Sequence, residues 1–543
     1  MFLFAPAIDI RCDTRPMESN VADLLAAAAR AEPTKIALSE AATGRTVTWA
    51  GLDDLADRVA HGLSATGMVA GYRVMIAVTN RIEFVATYLG VLRARMVAVP
   101  INPRSATGEV VRMLVDSGAR MVVADGTTIG TVRSAVAGVT EALDAGGDPS
   151  ALPKPRLVSI GTTLEPGERS WDHLVMETGV PVPGTTDPES LAVLLYTSGT
   201  SGRPRAAMLS HRALAANIAQ AAEVVPPMIN GRDVVLGVLP LFHVYGLNAV
   251  LGQVLRQHAR MVLVDGFDPE GSLDIIEDEA ISVLPVAPPV FAYWMQVPGL
   301  EDRLGPVRTI LSGSAPLDPD LTAAFAARTG LTIHQGYGLT EASPVVTSTQ
   351  CSAEPDPRSV GSPLPGIEVR LVDERGRTPE DEDAGEIQIR GANLFSGYWP
   401  DKADGPDADG WWATGDVGYL TEVGDLFLVD RLKELVIVSG FNVYPSEVED
   451  VISELAEVAG VAVIGAEDPL TGESVVAYVQ PAHEVDEAEL VAQVRAHCAA
   501  RLAGFKQPKA VHVVAALPYT GTGKVQKGRL RATERRRALG LLE

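Results

Sequence analysis

The chain has 543 residues, which is more than one hydrophobic core usually serves, so two or more domains are expected. An apolar fraction of 46% and a charged fraction of 21% are typical of a folded globular protein. Asp and Glu together number 69 against 45 Lys and Arg, and the formal charge of −24 argues against a nucleic-acid or anionic-membrane binder. Any polyanionic ligand must therefore be held by a local site.

Cysteine usage and the N-terminal segment bear on the compartment. Cys12, Cys351 and Cys498 lie far apart and show no CxxC spacing, which disfavours a disulfide framework or a zinc site and fits a reducing cytoplasm. The segment 1–13 begins apolar, but it lacks a basic region and reaches Asp9 too early for a signal peptide. We therefore expect a cytoplasmic protein.

Short β-rich runs alternate with helical patterns over residues 73–160 and again over residues 191–336. Strands that are buried on both faces have this composition, so parallel α/β layers are predicted. We expect two such sheets in one large domain. The runs are VMIAVT, MVAVPI, RMVVAD and RLVSI in the first stretch, then LAVLLYT, DVVLGV, RMVLVD, SVLPVA and RTILSG in the second.

The uncharged run 234–255 is long enough to cross a bilayer. Pro240, His243, Asn248 and Gln253 interrupt it, and a polar or helix-breaking residue is costly in lipid. This favours a strand, a loop and a buried helix over a membrane span. We therefore predict no transmembrane segment.

The sequence pattern changes after Gly361. Strand-like runs separated by Gly and Asp turns predict an antiparallel or barrel-like appendage there. Beyond Arg431 a strand, a helix starting at Pro445, two strands, a helix over 487–502 and a final strand predict a small α+β domain.

A loop rich in hydroxyls and glycines, TSGTSG, follows the run LAVLLY. No G-x-x-x-x-G-K-[ST] P-loop fits it, and its first residues do not match the G-x-S-x-G nucleophile turn of hydrolases. Its amides and hydroxyls form a neutral anion nest in one interpretation, and composition leaves a plain structural turn equally open. The nest residues are Thr197, Ser198, Gly199, Thr200, Ser201 and Gly202.

The longer stretch YTSGTSGRPRAAMLSH resembles the phosphate-binding signature of the adenylate-forming superfamily, which contains acyl-CoA synthetases, luciferases and peptide-synthetase adenylation domains. Companion motifs follow in the family's order across nearly the whole chain, and their order makes a chance match negligible. They are PLFHVYG, SGSAPL, GYGLTE, TGD, DRLKELVIVSGFNVYPSEVE and TGTGKV.

The resemblance implies an α/β fold with a large N-terminal domain, built from two α/β sheet layers plus a β-barrel-like subdomain, and a small mobile α+β C-terminal domain. The AMP-binding domain is expected over residues 1–430, a hinge over 431–433, and the domain carrying the catalytic lysine over 434–543. One departure lies at Pro204-Arg205-Ala206, where members usually carry Pro-Lys-Gly. Arginine keeps the positive charge for pyrophosphate, so we expect activity to be retained.

The family's reaction joins a carboxylate to the α-phosphate of ATP, releases pyrophosphate, and passes the acyl group to a thiol. The acid is already ionised at neutral pH, so no general base is needed, and catalysis comes from positioning and positive charge. By resemblance, Lys524 and Arg205 supply that charge. Glu341 holds Mg²⁺, with Thr197 or Thr340 as a further oxygen ligand.

Further roles come from the same resemblance. The nest and a further nucleotide-binding set bind ATP or AMP. Lys433 is the hinge residue, and Ser439 and Gly440 let CoA pass close to the backbone. Without the resemblance, Glu341 is compatible with a glutamate in the first turn of a helix, Asp416 with a turn residue and Lys524 with a solvated tail. The nucleotide-binding set is Gly313, Ser314, Ala315, Gly336, Tyr337, Gly338, Thr340, Asp416 and Arg431. Within it, Gly313, Ser314, Ala315 and Tyr337 resemble the family's adenine site, and Asp416 and Arg431 resemble its ribose-contacting pair.

The acid is expected to bind near His243, Tyr245 and Gly246 in PLFHVYG. Relatives that activate amino acids typically carry Asp at the position of His243, so this chain favours an apolar acid, and a fatty acid in particular. The chain resembles medium- or long-chain fatty-acid CoA ligases, with ATP, Mg²⁺ and CoA as cofactors. An acyl carrier protein as acceptor, a non-enzymatic acyl-binding scaffold and a homodimer stay open as alternatives.

Overall fold

The computed structural model of the chain describes residues 19–144, 154–176, 187–197, 204–315, 317–373, 375–379, 384–431, 434, 436–438, 441–468, 471–520 and 523–538. The strands, in chain order, are β1 Ile36–Glu40, β2 Thr46–Thr48, β3 Arg73–Ala77, β4 Val97–Pro100, β5 Met121–Ala124, β6 Arg156–Ser159, β7 Arg169–Ser170, β8 Leu191–Thr197, β9 Arg205–Ser210, β10 Val234–Gly237, β11 Arg260–Leu263, β12 Val283–Val286, β13 Thr309–Ser312, β14 Ile333–Gln335, β15 Thr347–Ser348, β16 Ser362–Pro363, β17 Ile367–Val372, β18 Gly385–Gly391, β19 Trp411–Leu420, β20 Leu426–Arg431, β21 Val436–Val438, β22 Phe441–Val443, β23 Val458–Asp468, β24 Gly472–Pro481 and β25 Ala510–Val513.

The α-helices, in the same order, are α1 Asp23–Ala31, α2 Trp49–Ala65, α3 Ile82–Arg93, α4 Thr107–Ser117, α5 Ile129–Asp144, α6 Trp171–Met176, α7 His211–Ala222, α8 Leu251–Gln257, α9 Pro269–Asp278, α10 Pro289–Trp294, α11 Leu300–Arg303, α12 Pro319–Thr329, α13 Pro445–Ser453, α14 Glu487–Arg501 and α15 Lys527–Ala538. Short 3₁₀ turns cover Thr340–Ala342, Thr349–Cys351 and Gly504–Lys506, and a π-helical segment covers Tyr245–Val250.

Several helices begin at a side chain that caps the first turn. The Thr48 hydroxyl accepts from the Gly51 amide before α2, and the Ser210 hydroxyl accepts from the Ala213 amide before α7. Asp268 caps α9, whose first residue is proline. Such caps satisfy amides that a helix leaves unpaired, so the sequence fixes where these helices start.

The first seven-stranded sheet has the order β7-β6-β5-β3-β4-β8-β9. Its strands run parallel except at β8 and β9, which form an antiparallel hairpin, and Ala98 of β4 pairs with Val193 of β8. The sequence pattern grouped LAVLLYT with the later strands. That grouping is wrong, because alternation along a chain does not determine which strands lie side by side.

The second seven-stranded sheet has the order β14-β13-β12-β10-β11-β1-β2. Strand β1 comes from the start of the chain and runs parallel to β11. The sequence analysis did not predict β1 or β2. One core cluster joins both sheets through α2, α3 and α8, and it contains the fully buried Trp49, Phe84 and Leu251. The two sheets therefore share one core in a large N-terminal domain, as predicted.

Strands β17, β18, β19 and β20 form a four-stranded antiparallel sheet in that order. Of the two forms left open by the sequence, this is the antiparallel one. A barrel would need pairing between the first and last strands, and the described residues show no such pairing.

The apolar run 234–255 divides as the sequence predicted, into β10, a loop, the π-helical segment and the start of α8. Within the described ranges, no helix has both the length and the apolar character needed to cross a bilayer.

The C-terminal part of the chain contains a separate five-stranded sheet. Its path is β22-β21-β24-β23, and β25 pairs in parallel with β24. Helices α13 and α14 contribute Val448, Ile452 and Val494 to a core cluster of this region. A small α+β C-terminal domain was predicted from the sequence, and the observed elements confirm it.

Candidate active site

The β8–β9 hairpin brackets the predicted nest. Thr197 pairs with Arg205 across the hairpin, and the Thr197 hydroxyl donates to the Arg205 carbonyl at 3.3 Å. The hydroxyl that the sequence assigned to metal or phosphate is thus bonded to backbone in this structure. The other nest residues, Ser198, Gly199, Thr200, Ser201 and Gly202, lie outside the described residues.

Arg205 begins β9 and makes two side-chain contacts. Its guanidinium lies over the Tyr398 ring, 3.7 Å from the centroid, and its Nη2 is 2.8 Å from an Asp404 carboxylate oxygen. The ring and the carboxylate contact the guanidinium from two directions. Arg205 is therefore held in a definite position at the mouth of the hairpin.

Glu341 lies in the 3₁₀ turn 340–342 and is 7% exposed. Its Oε1 accepts a hydrogen bond of 2.6 Å from the Tyr398 hydroxyl. Thr340 precedes it on the same turn. Within the described residues no group of three or more His, Cys, Asp or Glu could hold a metal ion. A single protein carboxylate is enough to hold Mg²⁺ when the ion also binds nucleotide phosphates, because Mg²⁺ then takes few ligands from the protein.

Tyr337 and Asp416 form a buried pair. The Tyr337 hydroxyl donates to Asp416 Oδ2 at 2.6 Å, and each residue is 7% exposed. Gly336 and Gly338 flank Tyr337, and a Cβ at either glycine would lie 2.5 Å from a backbone carbonyl oxygen. The flanking glycines are thus required for close backbone approach, and they help fix the ring beside Asp416.

Arg431 lies opposite Asp416 in the antiparallel register of β19 and β20. The sequence placed both residues at the ribose of a nucleotide, and their backbones are cross-strand neighbours.

The loop after β13 carries Gly313, Ser314 and Ala315, which are all partly exposed. Ser314 has a φ of +79°, a conformation that costs a non-glycine residue free energy and clusters at functional sites. A Cβ at Gly313 would lie 3.2 Å from Cε1 of Tyr245. The predicted adenine loop and the predicted acyl pocket are therefore in contact.

His243 and Tyr245 lie at the start of the π-helical segment. Burial and, after it, the Lys524 ammonium lower the pKa of His243 to about 4. The imidazole is therefore neutral at neutral pH, and its Nδ1 accepts from the Tyr245 amide at 3.3 Å. A Cβ at Gly246 would lie 2.4 Å from the Pro240 carbonyl oxygen, so only glycine fits there.

Lys524 lies in a turn of the C-terminal region that reaches the N-terminal domain. Its amide donates to the Thr520 hydroxyl at 3.0 Å, and its carbonyl accepts from the Thr520 amide at 2.7 Å. A Cβ on the preceding Gly523 would lie 2.7 Å from Cγ of Pro289 in α10. The structure thus brings Lys524 to the side of the site that contains His243.

Of the predicted residues, Lys433, Ser439 and Gly440 lie outside the described residues. The contacts of Tyr398, Asp404 and Pro289 were missed by the sequence analysis. The aromatic run GYWP is the one sequence feature that marks the position of Tyr398. Its distance along the sequence from Glu341 and Arg205 does not indicate that these residues are in contact.

Two family models match the chain. The model of the family described as AMP-binding enzyme matches residues 25–399, and the model described as AMP-binding enzyme C-terminal domain matches residues 447–524.

Two curated relatives and one solved structure are similar over most of their lengths. The chain is 33% identical to 4-coumarate–CoA ligase-like 9 of Oryza sativa subsp. japonica, covering 93% of this chain and 90% of that protein. It is 31% identical to a long-chain-fatty-acid–CoA ligase of Bacillus subtilis (strain 168), with 87% of each covered. The crystal structure of ATP-bound MatB from Rhodopseudomonas palustris matches with a TM-score of 0.83 and 32% identity, covering 95% of this chain and 99% of that one.

Proposed function

Since the chain belongs to the AMP-binding enzyme family and is an acid–CoA ligase acting through an acyl adenylate, we propose that its substrate is a fatty acid. The acyl group then passes to CoA as a free thiol acceptor. The observation that carries the choice of acid is the neutral His243, whose pKa is lowered to about 4. A neutral imidazole beside Tyr245 carries no charge to pair with a charged substrate tail, so an apolar acyl group is favoured.

An aromatic acid is the second candidate. The relative at 33% identity is named a 4-coumarate–CoA ligase-like protein. The Tyr245 ring lies against Gly313 and offers a flat aromatic surface, which suits a planar acid as well as an alkyl chain. The preference of the protein for straight-chain or aromatic acids decides between the two.

In the proposed mechanism a carboxylate oxygen attacks the α-phosphorus of ATP. The new oxygen–phosphorus bond forms as the bond to the bridging oxygen breaks, and pyrophosphate leaves. Lys524 stabilises charge at the carboxylate and α-phosphate, and Arg205 holds the departing phosphates. Glu341 would hold Mg²⁺, which neutralises phosphate charge when bound. The nest and the loops at 313–315 and 336–340 position the nucleotide.

The proposed second step uses a different arrangement of the same chain. We assign residues 1–430 to the nucleotide-binding domain, 431–433 to the hinge and 434–543 to the domain that turns about Lys433. Turning removes Lys524 and brings Ser439 and Gly440 in, so that the CoA thiol attacks the acyl carbonyl and AMP leaves. The domain boundaries rest on the sequence motifs.

A pyrophosphate-release screen tests the proposal. Purified protein with ATP and Mg²⁺ would be offered straight-chain, branched and aromatic acids, with and without CoA. We expect straight-chain fatty acids to give the highest kcat/KM and acyl-CoA to accumulate only with CoA. Preference for 4-coumarate-like acids would establish the second candidate, and release without CoA consumption would favour a carrier protein as acceptor.

Gly523→Val is expected to slow adenylate formation by about tenfold or more, because misplacing a catalytic group by a fraction of an ångström is costly. A Cβ at Gly523 would lie 2.7 Å from Pro289, and its φ of +83° strains any side chain. The measurement is acid-dependent pyrophosphate exchange, beside thioester formation from supplied acyl adenylate.

Gly528→Ala is the matched control for Gly523→Val. It adds a side chain in α15 where a Cβ would meet nothing within 4 Å, so it should leave both half reactions near wild type. If Gly523→Val lost both half reactions equally, the contact between Gly523 and Pro289 would not act specifically in adenylate formation.

A further inference from the structure

Tyr398 lies between the cationic and the anionic side chain of the proposed nucleotide site. The Arg205 guanidinium is 3.7 Å from the centre of its ring, and its hydroxyl is 2.6 Å from Glu341 Oε1. The hydroxyl is the donor of this hydrogen bond, because a carboxylate oxygen accepts. One side chain therefore contacts both groups through different parts of its structure.

Backbone hydrogen bonds fix the segment of Tyr398 beside β9. The Ser396 amide donates to the Met208 carbonyl at 2.9 Å, and the Met208 amide donates to the Gly397 carbonyl at 3.0 Å. The Trp399 amide donates to the Ala206 carbonyl at 2.9 Å. The segment thus continues the sheet at the strand that carries Arg205, so Tyr398 and Arg205 are held in register.

The following turn fixes the direction of the ring. The Tyr398 amide donates to the Ala403 carbonyl at 2.9 Å, and Gly397 has a φ of +108° with room for no Cβ, since Lys402 O would be 2.2 Å away. The Phe395 and Tyr398 rings pack in a T-shaped arrangement, with centroids 5.0 Å apart. These contacts orient the ring without any help from a ligand.

The same turn carries Asp404, which pairs with Arg205 at 2.8 Å. The Asp404 side chain is 71% exposed and that of Arg205 is 38% exposed. An exposed ion pair of this kind contributes little free energy, so a phosphate can displace the carboxylate at low cost. The stacked ring can keep the guanidinium in place while its anionic partner changes.

We propose that Tyr398 is a positioning residue that aligns Arg205 and Glu341 for the nucleotide, and that Arg205 exchanges Asp404 for a phosphate of ATP or pyrophosphate. This rests on the proposed function of the site. A planar guanidinium lies flat on the ring and still presents its edge donors, which a compact ammonium does less well. The arginine that departs from the family's usual lysine thus fits the aromatic partner it meets here.

Direct ATP-binding measurements on Tyr398→Phe, Tyr398→Leu and Asp404→Asn test the proposal, with calorimetry run without an acid, in the presence and absence of Mg²⁺. Asp404→Asn should bind metal-free ATP about threefold tighter at low salt, and the gain should vanish at high salt, because a competing anion is removed. A merely structural contact would give no tightening.

The two tyrosine variants separate the ring from the hydroxyl. Tyr398→Phe should keep metal-free ATP affinity within about twofold of wild type, because the stack remains, but should need about tenfold more Mg²⁺ to tighten ATP binding. Tyr398→Leu should also weaken metal-free ATP binding, by about fivefold. Thermal unfolding checks that each variant is folded.

Two outcomes would overturn the proposal. In the first, Asp404→Asn binds metal-free ATP no tighter than wild type does. In the second, Tyr398→Phe needs no more Mg²⁺ than wild type to tighten ATP binding. A failure of the proposed function gives a different result. In that case wild-type protein would bind ATP while no acid supported pyrophosphate exchange, and the binding comparison would still decide the role of Tyr398.

Discussion

Lys524→Ala is expected to reduce acyl-adenylate formation by about a thousandfold, while thioester formation from supplied acyl adenylate stays within about threefold of wild type. The first half reaction brings two anions together, and the variant lacks the positive charge proposed to lie between them. The second half reaction starts from an adenylate in which that repulsion has already been overcome. The measurement is acid-dependent exchange of labelled pyrophosphate into ATP, followed by CoA thioester assay.

The position of Lys524 in the structure bears on the first of these steps. Lys524 contributes to the lowered pKa of His243, so its ammonium is near the predicted acid site. The turn that carries it is closed by the 2.7 Å hydrogen bond from the Thr520 amide to the Lys524 carbonyl and contacts α10 through Gly523. The turn is thus already close to the N-terminal domain in this structure, which is the arrangement proposed for the first half reaction.

Two variants serve as controls for Lys524→Ala. Arg529→Ala removes an exposed cation from α15 of the same region and should leave both half reactions unchanged. Gly440→Trp, whose expected role rests on the sequence motif alone, should show the reverse pattern by blocking CoA passage. Equal losses of both half reactions in Lys524→Ala and Gly440→Trp would contradict an enzyme that uses two arrangements.

Much of the fold could be predicted because its strands are short, apolar and bounded by turn residues. The runs at β3, β4 and β5 and the helix start at Pro445 are encoded locally, by burial on both faces and by proline at the first helical position. Strand order is different. Whether β8 pairs with β4 or with a later strand depends on packing across the whole domain, which a local pattern does not contain.

The candidate site divides in the same way. Glu341 and Lys524 stand in motifs whose residues are neighbours in the sequence, so a sequence pattern could propose them. The partners of Arg205 come from far along the chain, with Asp404 separated from it by 199 positions. Their contact arises because the segment after β18 lies beside β9. The spacing of these residues in the sequence does not predict that the two segments are adjacent. The structure was therefore needed to find Tyr398 and Asp404.

Asp416→Ala is expected to raise the dissociation constant of ATP by about a hundredfold or more. If the carboxylate accepts both ribose hydroxyls, each lost hydrogen bond to a charged group costs about 1.5–3 kcal/mol, and 1.4 kcal/mol is a factor of ten. The variant also leaves the buried Tyr337 hydroxyl without the acceptor it has at 2.6 Å, so some loss of thermal stability should accompany the loss of affinity.

Nucleotide analogues separate ribose binding from a structural role of Asp416. Dideoxy-ATP lacks the two hydroxyls, so wild type should bind it more weakly than ATP by nearly the factor that Asp416→Ala loses, and Asp416→Ala should bind both nucleotides alike. Tyr337→Phe is the matched control, since it keeps the ring and the carboxylate while removing only the hydrogen bond between them. It should retain discrimination between the two nucleotides. If Asp416→Ala still preferred ATP over dideoxy-ATP by the wild-type factor, the carboxylate would hold Tyr337 and not the ribose.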